Sequence, residues 1–246
     1  MLKKIIFSSV IIMVLLISTS HAKEDILIVT EEWAPYNYSV DGKVTGFSTE
    51  IVQNILKVLK KNYEIQIMPS MRTTRTLKNR PRTMMISMFR TPERESKYKW
   101  IGPLVDASIY FYKRRDNPLK IENLNDLKNV KSICSRHAGL IPKLLTEKGF
   151  KNVDKGGTRG IQIYQRLLLG RCDLAISDAD LGVRYNLKQL NIKDNMLEKI
   201  PISIFDAKLY IVASNDISDE EIQQWQTALD TLKANGIYEK IYQAYQ

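Results

Sequence analysis

The chain has 246 residues and a formal net charge of +10, from 37 Lys and Arg against 27 Asp and Glu. A basic balance fits nucleic acid, anionic lipid or an acidic ligand. No Lys/Arg run interleaves with aromatics in the way that stacks bases, which argues against nucleic acid. There is no G-x-S-x-G, H-E-x-x-H, paired-Cys metal spacing or Gly-rich phosphate loop, so neither a metal, nor a cofactor, nor a ready-made hydrolase is expected.

Lys3 and Lys4 precede an apolar run from Ile5 to Ile17, and Ser20-His21-Ala22 offers a small-x-small cleavage site. This reads as a secretory signal peptide over residues 1–22, cut after Ala22. The run is short for a membrane span, and no later segment is long and apolar enough to make one. The expectation is a soluble, exported, periplasmic and monomeric protein. Cys134 and Cys172 sit in strand-like segments. In an oxidising compartment they can pair, and two buried thiols fit the same pattern.

Ile26 to Val29 reads as a first strand, followed by the aromatic-rich loop Glu31 to Tyr38 and a turn at Asp41-Gly42. Ser48 is placed to cap a helix whose apolar face is Ile51, Val52, Ile55, Leu56 and Leu59. Glu64–Met68 reads as a strand, Met71–Asn79 as a basic helix with Arg72, Arg75 and Lys78, and Met84–Ile86 as a buried strand. Thr91-Pro92-Glu93-Arg94 then looks like a strand-to-helix junction, with Thr91 capping and Pro92 at the first helical position. Trp100-Ile101-Gly102-Pro103 closes the stretch as an aromatic followed by chain punctuation.

A second series follows, with strands at Ala107–Tyr112, Val130–Cys134, Lys151–Val153 and Asp173–Ile176, and helices at Leu140–Glu147 and Ile161–Leu169. Leu209–Ala213 is a returning strand. Ser218 to Glu221 has the form of a capping box opening a helix with Ile222, Trp225, Leu229 and Leu232 on one face, and Ile237–Tyr245 is a last short helix. Strands alternating with helices twice over predict two α/β lobes.

The chemistry-bearing residues point to recognition of a small polar molecule. Arg90 and Arg94 flank the Thr91-Pro92 junction, where guanidinium groups beside a helix start suit a carboxylate. The plain alternative is a solvated ion pair of Arg94 with Glu93 or Glu95. Asp178 follows a strand's carboxyl end, where α/β folds place ligands, and it can equally cap the next helix. Trp33, Tyr36, Tyr38 and Phe89 suit either a cleft wall or a core. A bidentate Arg–carboxylate contact in a closed cleft contributes roughly 1.5–3 kcal/mol per charged hydrogen bond. Two or three such contacts with ring stacking reach about −8 kcal/mol, micromolar affinity.

Six motifs in order carry a resemblance over nearly the whole chain. They are Glu32-Trp33-Ala34-Pro35-Tyr36, Gly46-Phe47, Arg94 within TPER, Gly170 to Ala175, Asp178, and Asn235 to Tyr242. In this order they resemble the type 3 family of periplasmic solute-binding proteins, the amino-acid-binding class of ABC importers. The resemblance implies a two-lobed, type II (Venus-flytrap) α/β fold with two crossing hinge strands. It also implies a discontinuous lobe one, residues 23–105 plus 207–246, and a lobe two of residues 106–206. The implied partners are a small-molecule ligand and an ABC permease in the inner membrane.

By the same resemblance Arg94 takes an α-carboxylate, Asp178 an α-ammonium, Trp33 covers the ligand and Ser87 contacts it through its backbone. Phe89 stands where amino-acid binders carry a hydroxyl, and His137-Ala138-Gly139 stands where they carry Gly with Ser or Thr. Arg90 and Arg72 are expected nearby as additional cations, and Tyr36 as a wall. The implied ligand is an amino acid or related small carboxylate, with a dicarboxylate suiting the extra arginines. Two other functions remain open. One is a lyase resembling cyclohexadienyl dehydratases, for which Glu32 and then His137 are the candidate acids. The other is a sensor or accessory protein presenting its ligand to a different membrane partner.

Overall fold

The computed structural model describes residues 25–137 and 140–245. The expected signal peptide and its cleavage site lie outside these residues, as do Ala138 and Gly139. The first part of the chain forms β1 (Leu27–Thr30), β2 (Tyr38–Val40), β3 (Lys43–Thr45), α1 (Phe47–Leu59), β4 (Ile65–Ile67), α2 (Ser70–Asn79), β5 (Thr83–Phe89), α3 (Pro92–Glu95) and β6 (Lys99–Asp106). The second forms β7 (Ile109–Arg114), α4 (Leu124–Asn129), β8 (Ile133–Arg136), α5 (Leu140–Glu147), β9 (Val153–Gly157), α6 (Gly160–Leu168), β10 (Leu174–Ala175), α7 (Asp180–Gln189) and β11 (Leu197–Phe205). The chain ends with β12 (Lys208–Ala213), α8 (Asp219–Ala234) and α9 (Ile237–Ala244).

The strands make two five-stranded sheets, ordered β4-β1-β5-β12-β6 and β11-β7-β10-β8-β9, beside a β2-β3 hairpin. β1 runs parallel to β4 and β5, whereas β12 is antiparallel to β5 and β6. In the second sheet β8 is parallel to β9 and β10, and β7 is antiparallel to β10 and β11. The chain passes from the first sheet to the second between Asp106 and Ile109 and returns between Phe205 and Lys208. The two passages are bonded to each other, the Ala107 amide donating to the Ala207 carbonyl at 2.8 Å. This is a two-lobed mixed α/β fold with paired crossings.

The helical periodicities translate into buried faces. Phe47, Ile51, Val52, Ile55 and Leu56 of α1 are buried, as are Trp225, Leu229 and Leu232 of α8. Phe47 also packs edge-on against Tyr238, Tyr242 and Tyr245. The cap of α1 is Gly46 rather than Ser48, which is itself buried inside the first turn. Gly46 has φ 114, and a Cβ there would lie 2.6 Å from the Tyr36 carbonyl oxygen. That close approach matters because the Pro35 and Tyr36 carbonyls accept the Phe47 and Ser48 amides at 2.8 Å, supplying the cap from the backbone. Ser218 does cap α8, accepting the Glu221 amide at 3.3 Å, and the Glu221 carboxylate accepts from Arg82 Nη2 at 3.2 Å.

Several stretches differ from expectation: the strand read at Val130–Cys134 is Ile133–Arg136, that at Lys151–Val153 is Val153–Gly157, and α4, α7 and β11 stand where no element is expected. β5 extends through Phe89, so the strand itself delivers Ser87 and Phe89. Trp100–Pro103 is not punctuation but the middle of β6, an edge strand, where a proline removes no ladder donor from a neighbour. The Gly102 amide finds its partner outside the sheet, in the Gln226 side chain at 2.8 Å. Cys134 and Cys172 are paired in a disulfide with a Cα–Cα distance of 5.8 Å.

Candidate functional site

A cleft of about 310 Å³ lies between the lobes and is lined by both. The first lobe contributes Glu31, Glu32 and Trp33 after β1, Ser70 and Thr74 of α2, Met85, Ser87, Met88 and Phe89 of β5, and Arg94. The second contributes Ile109, Arg136 at the end of β8, Leu140 to Pro142 of α5, and Ser177 after β10. These are carboxyl ends of parallel strands, where diverging connections leave a crevice in open α/β sheets. The volume suits a small ligand.

Ser87 is the conformational anomaly of the first lobe. It is buried and has φ 64, the left-handed region, within a strand. The β5–β12 register slips between the Tyr210 and Val212 pairs, which frames the same spot. A non-glycine residue in that region is costly and is retained where surrounding structure demands it. Its Oγ is buried with no hydrogen-bond partner among the described residues. Beside it Trp33 contacts Phe89 at 5.4 Å between ring centroids, and Phe89 contacts Phe205 at 5.3 Å.

Arg94 faces the cleft, with Nη1 donating to the Phe89 carbonyl at 3.0 Å. It pairs with neither neighbouring acid. Glu95 is taken by Arg90, and Glu93 accepts the Thr91 hydroxyl at 3.3 Å. α3 is a single four-residue turn, and Thr91 makes no side-chain cap.

The second lobe presents a different arrangement from the one expected. Asp178 does not line the cleft. Its side chain is 0% exposed and bonded to Arg136, whose Nη2 lies 2.5 Å from Oδ1. Asn186 Nδ2 lies 3.3 Å from Oδ2, and Arg136 Nε donates to Ser177 Oγ at 2.8 Å. A Cβ on Gly160 would fall 2.2 Å from Asp178 Oδ2, and one on Gly182 would fall 2.7 Å from Asp178 Cβ. The carboxylate is therefore walled by two glycine backbones and closed on its open side by a guanidinium.

Four other expected residues, Tyr36, Arg72, Arg90 and His137, stand away from the cleft wall, whereas Glu32 lines it. Tyr36 is fully buried behind Trp33, with ring centroids 4.8 Å apart. Burial first, then the Asp178 and Asp180 charges, push its phenol far above the ordinary range. Arg72 is exposed on α2, whose Ser70 and Thr74 face the cleft instead. Arg90 is exposed, lying over the Trp100 and Tyr210 rings at 5.5 and 5.4 Å. His137 is exposed and is tied by its amide to the Gly157 carbonyl at 2.9 Å. Glu32 is exposed on the rim and accepts the Ser39 amide at 3.3 Å.

Arg136, Ser177 and Glu31 are cleft residues that sequence reasoning missed. Arg136 closes a short strand immediately before His137, so strand-end position was the available signal. Glu31 directly follows the last residue of β1; it is half-buried and has no ion-pair partner among the described residues. No group of three or more potential metal ligands occurs among the described residues.

Residues 26–246 match the bacterial extracellular solute-binding proteins, family 3. The chain belongs to this family. An arginine-binding periplasmic protein of Mannheimia haemolytica is 24% identical over 226 residues, spanning 89% of this chain and 90% of that protein. The arginine-, lysine-, histidine-binding protein of Geobacillus stearothermophilus superposes with a TM-score of 0.67 at 22% identity, covering 89% of this chain and 94% of that one. A histidine kinase sensor domain with similarity to periplasmic binding proteins does so with a TM-score of 0.70 at 20% identity, covering 89% and 95%. The periplasmic-binding-protein fold follows, and no helix among the described residues is long and apolar enough to cross a membrane.

Proposed function

We propose that this member of the family is a periplasmic receptor whose lobes close on a small carboxylate-bearing solute, an amino acid or related acid, and deliver it to an ABC permease. The observation that carries the reading is Arg94: a guanidinium facing an interlobe cleft, with no carboxylate partner among the described residues. In a closing cleft its remaining donors lose water and gain from an anion. Ser87, Phe89, Trp33 and Arg136 are the proposed companions in contact with the solute. We take lobe one as residues 23–105 plus 207–246 and lobe two as 106–206, meeting at the bonded Ala107–Ala207 crossing. The relatives that bind arginine, or arginine, lysine and histidine, support an amino-acid-like ligand.

A second reading is ligand presentation to a signalling partner, favoured by the similarity to a kinase sensor domain. The lyase reading has less support, since Glu32 and His137 are both exposed and a general acid with a raised pKa needs a drier setting.

The test is calorimetry and thermal unfolding with amino acids and small carboxylates. A hundredfold excess of ligand over its dissociation constant stabilises by about 2.7 kcal/mol. Arg94→Ala lowers affinity by about 10- to 100-fold. Absence of binding across the panel, or binding that Arg94→Ala leaves intact, overturns the reading.

A further inference from the structure

We propose that the solute held by this cleft carries no ammonium group on the carbon next to its carboxylate, because Arg136 already occupies Asp178 as a built-in counter-cation. The inference rests on the carboxylate-binding reading above and narrows its ligand class. It starts from the second lobe's wall, which among the described residues presents Ile109, Leu140, Ile141, Pro142, Ser177 and the Arg136 guanidinium, and no carboxylate.

Asp178 is the acid that an α-ammonium would need, and it is consumed. Its side chain is sealed from solvent, whereas that of Arg136 is 29% exposed and reaches the cleft. Gly160 and Gly182 pack closely against the Asp178 side chain, and Asn186 Nδ2 lies 3.3 Å from its Oδ2. An ammonium taking the cleft-facing oxygen of Asp178 competes with Arg136, which is held there by Asp178 and by Ser177. With Nε and Nη2 engaged, the third nitrogen, Nη1, has no hydrogen-bond partner among the described residues. It remains a donor for an anion.

Charge and geometry then act together. An α-ammonium lies only about 2.5 Å from its carboxylate carbon, two bonds away. A carboxylate shared by Arg94 and Arg136 would bring that ammonium against a guanidinium in a cleft that sheds water on closure. Like charges so placed are strongly unfavourable. The cleft's acids, Glu31 and Glu32, belong to the other lobe. Half-buried Glu31 offers a counter-charge to a cationic or polar group farther along the solute, so a distal ammonium or guanidinium is compatible where an α-ammonium is not.

Matched pairs that differ only at the α-carbon provide the test: aspartate and succinate, glutamate and glutarate, alanine and propionate, arginine and 5-guanidinopentanoate. Calorimetry on the unmodified protein is expected to show the des-amino member of each binding pair tighter by about tenfold or more. Arg136→Ala, which frees Asp178, reverses the order within the pair. If that variant does not fold, Arg136→Gln is used, and the comparison on the unmodified protein is decisive by itself. An amino acid bound as tightly as its des-amino partner overturns the inference and leaves the carboxylate-binding reading standing. An order unchanged in a folded Arg136 variant overturns the role given to Arg136. No binding by any member overturns the carboxylate-binding reading, and the inference with it.

Discussion

Arg90 holds Glu95 through two nitrogens, with Nε 2.7 Å from one carboxylate oxygen and Nη2 on the other. Four residues on, Arg94 has no such acid among the described residues and faces the cleft. Two arginines flanking one Thr-Pro junction are thus assigned to different tasks by a single glutamate. The pair holds the Glu95 carboxyl below its ordinary value of 4.5, chiefly through the Arg90 hydrogen bonds. A carboxylate with a lowered folded pKa contributes stability that is present above its unfolded pKa and is lost as pH falls through the folded one. Here the pair is exposed, so the contribution is small.

Arg90→Ala is therefore expected to raise the Glu95 pKa back to the ordinary carboxylate range, read by carboxyl carbon NMR. Ligand affinity should stay within about twofold of the unmodified protein. A loss comparable to that of Arg94→Ala would place Arg90 at the solute after all.

Ser87 gives predictions of different size for two substitutions. At φ 64 a side chain strains the backbone, and a β-branched one strains it most. Ser87→Gly removes the strain but adds freedom to the unfolded chain, so stability should change by no more than about 1 kcal/mol. Ser87→Val should cost about 2 kcal/mol. Urea midpoints of the two variants check this, and a glycine variant less stable than the valine variant would contradict it.

What the sequence made legible follows from range. The α1 and α8 faces were readable because Ile51, Ile55, Trp225 and Leu229 repeat at helical spacing, a local signal. β6 was not, because Gly102-Pro103 carries the local signature of a turn, and only its place at a sheet edge makes it tolerable as strand. Arg94 and Ser87 were identifiable as candidates beside a strand end. Arg136 was not, because nothing near it in sequence shows that Asp178 and Ser177, more than forty positions away, meet its guanidinium. Tyr36 misled for a related reason: its neighbour Trp33 lines the cleft, while the Tyr36 ring turns into the core behind it. Periodicity reveals which residues are buried; only the topology reveals what they are buried against.

The disulfide should contribute measurably to the second lobe. It ties Cys134 on β8 to Cys172 just before β10, across 38 positions of sequence. Closing a loop of that length restricts the unfolded chain, worth about 2–4 kcal/mol. Reduction is expected to lower the unfolding temperature by roughly 5–15 °C for a chain of this size. Calorimetry with and without reductant measures it, with a Cys134→Ala/Cys172→Ala variant as the control on which reductant has no effect. An unchanged unfolding temperature on reduction would show that the bond contributes nothing.

The glycine wall around Asp178 can be probed without touching a charge. Gly160 opens α6, and a methyl there would press on Asp178 Oδ2 and, at 2.7 Å, on Asn186 Nδ2. Neither is a free chain end: Asp178 is bonded to Arg136 and Asn186, and Asn186 donates to the Gly182 carbonyl at 2.6 Å. Gly160→Ala should therefore cost about 1–3 kcal/mol, the range for overfilling a packed site. Because the group displaced is the carboxylate that positions Arg136, solute affinity should fall as well. A double-mutant cycle with Asp178→Ala separates this contact from any general effect on the helix. Once the carboxylate is gone the added methyl has room, so the double variant should be more stable than the two single losses summed. Strict additivity of the urea midpoints would show that Gly160 does not act through Asp178.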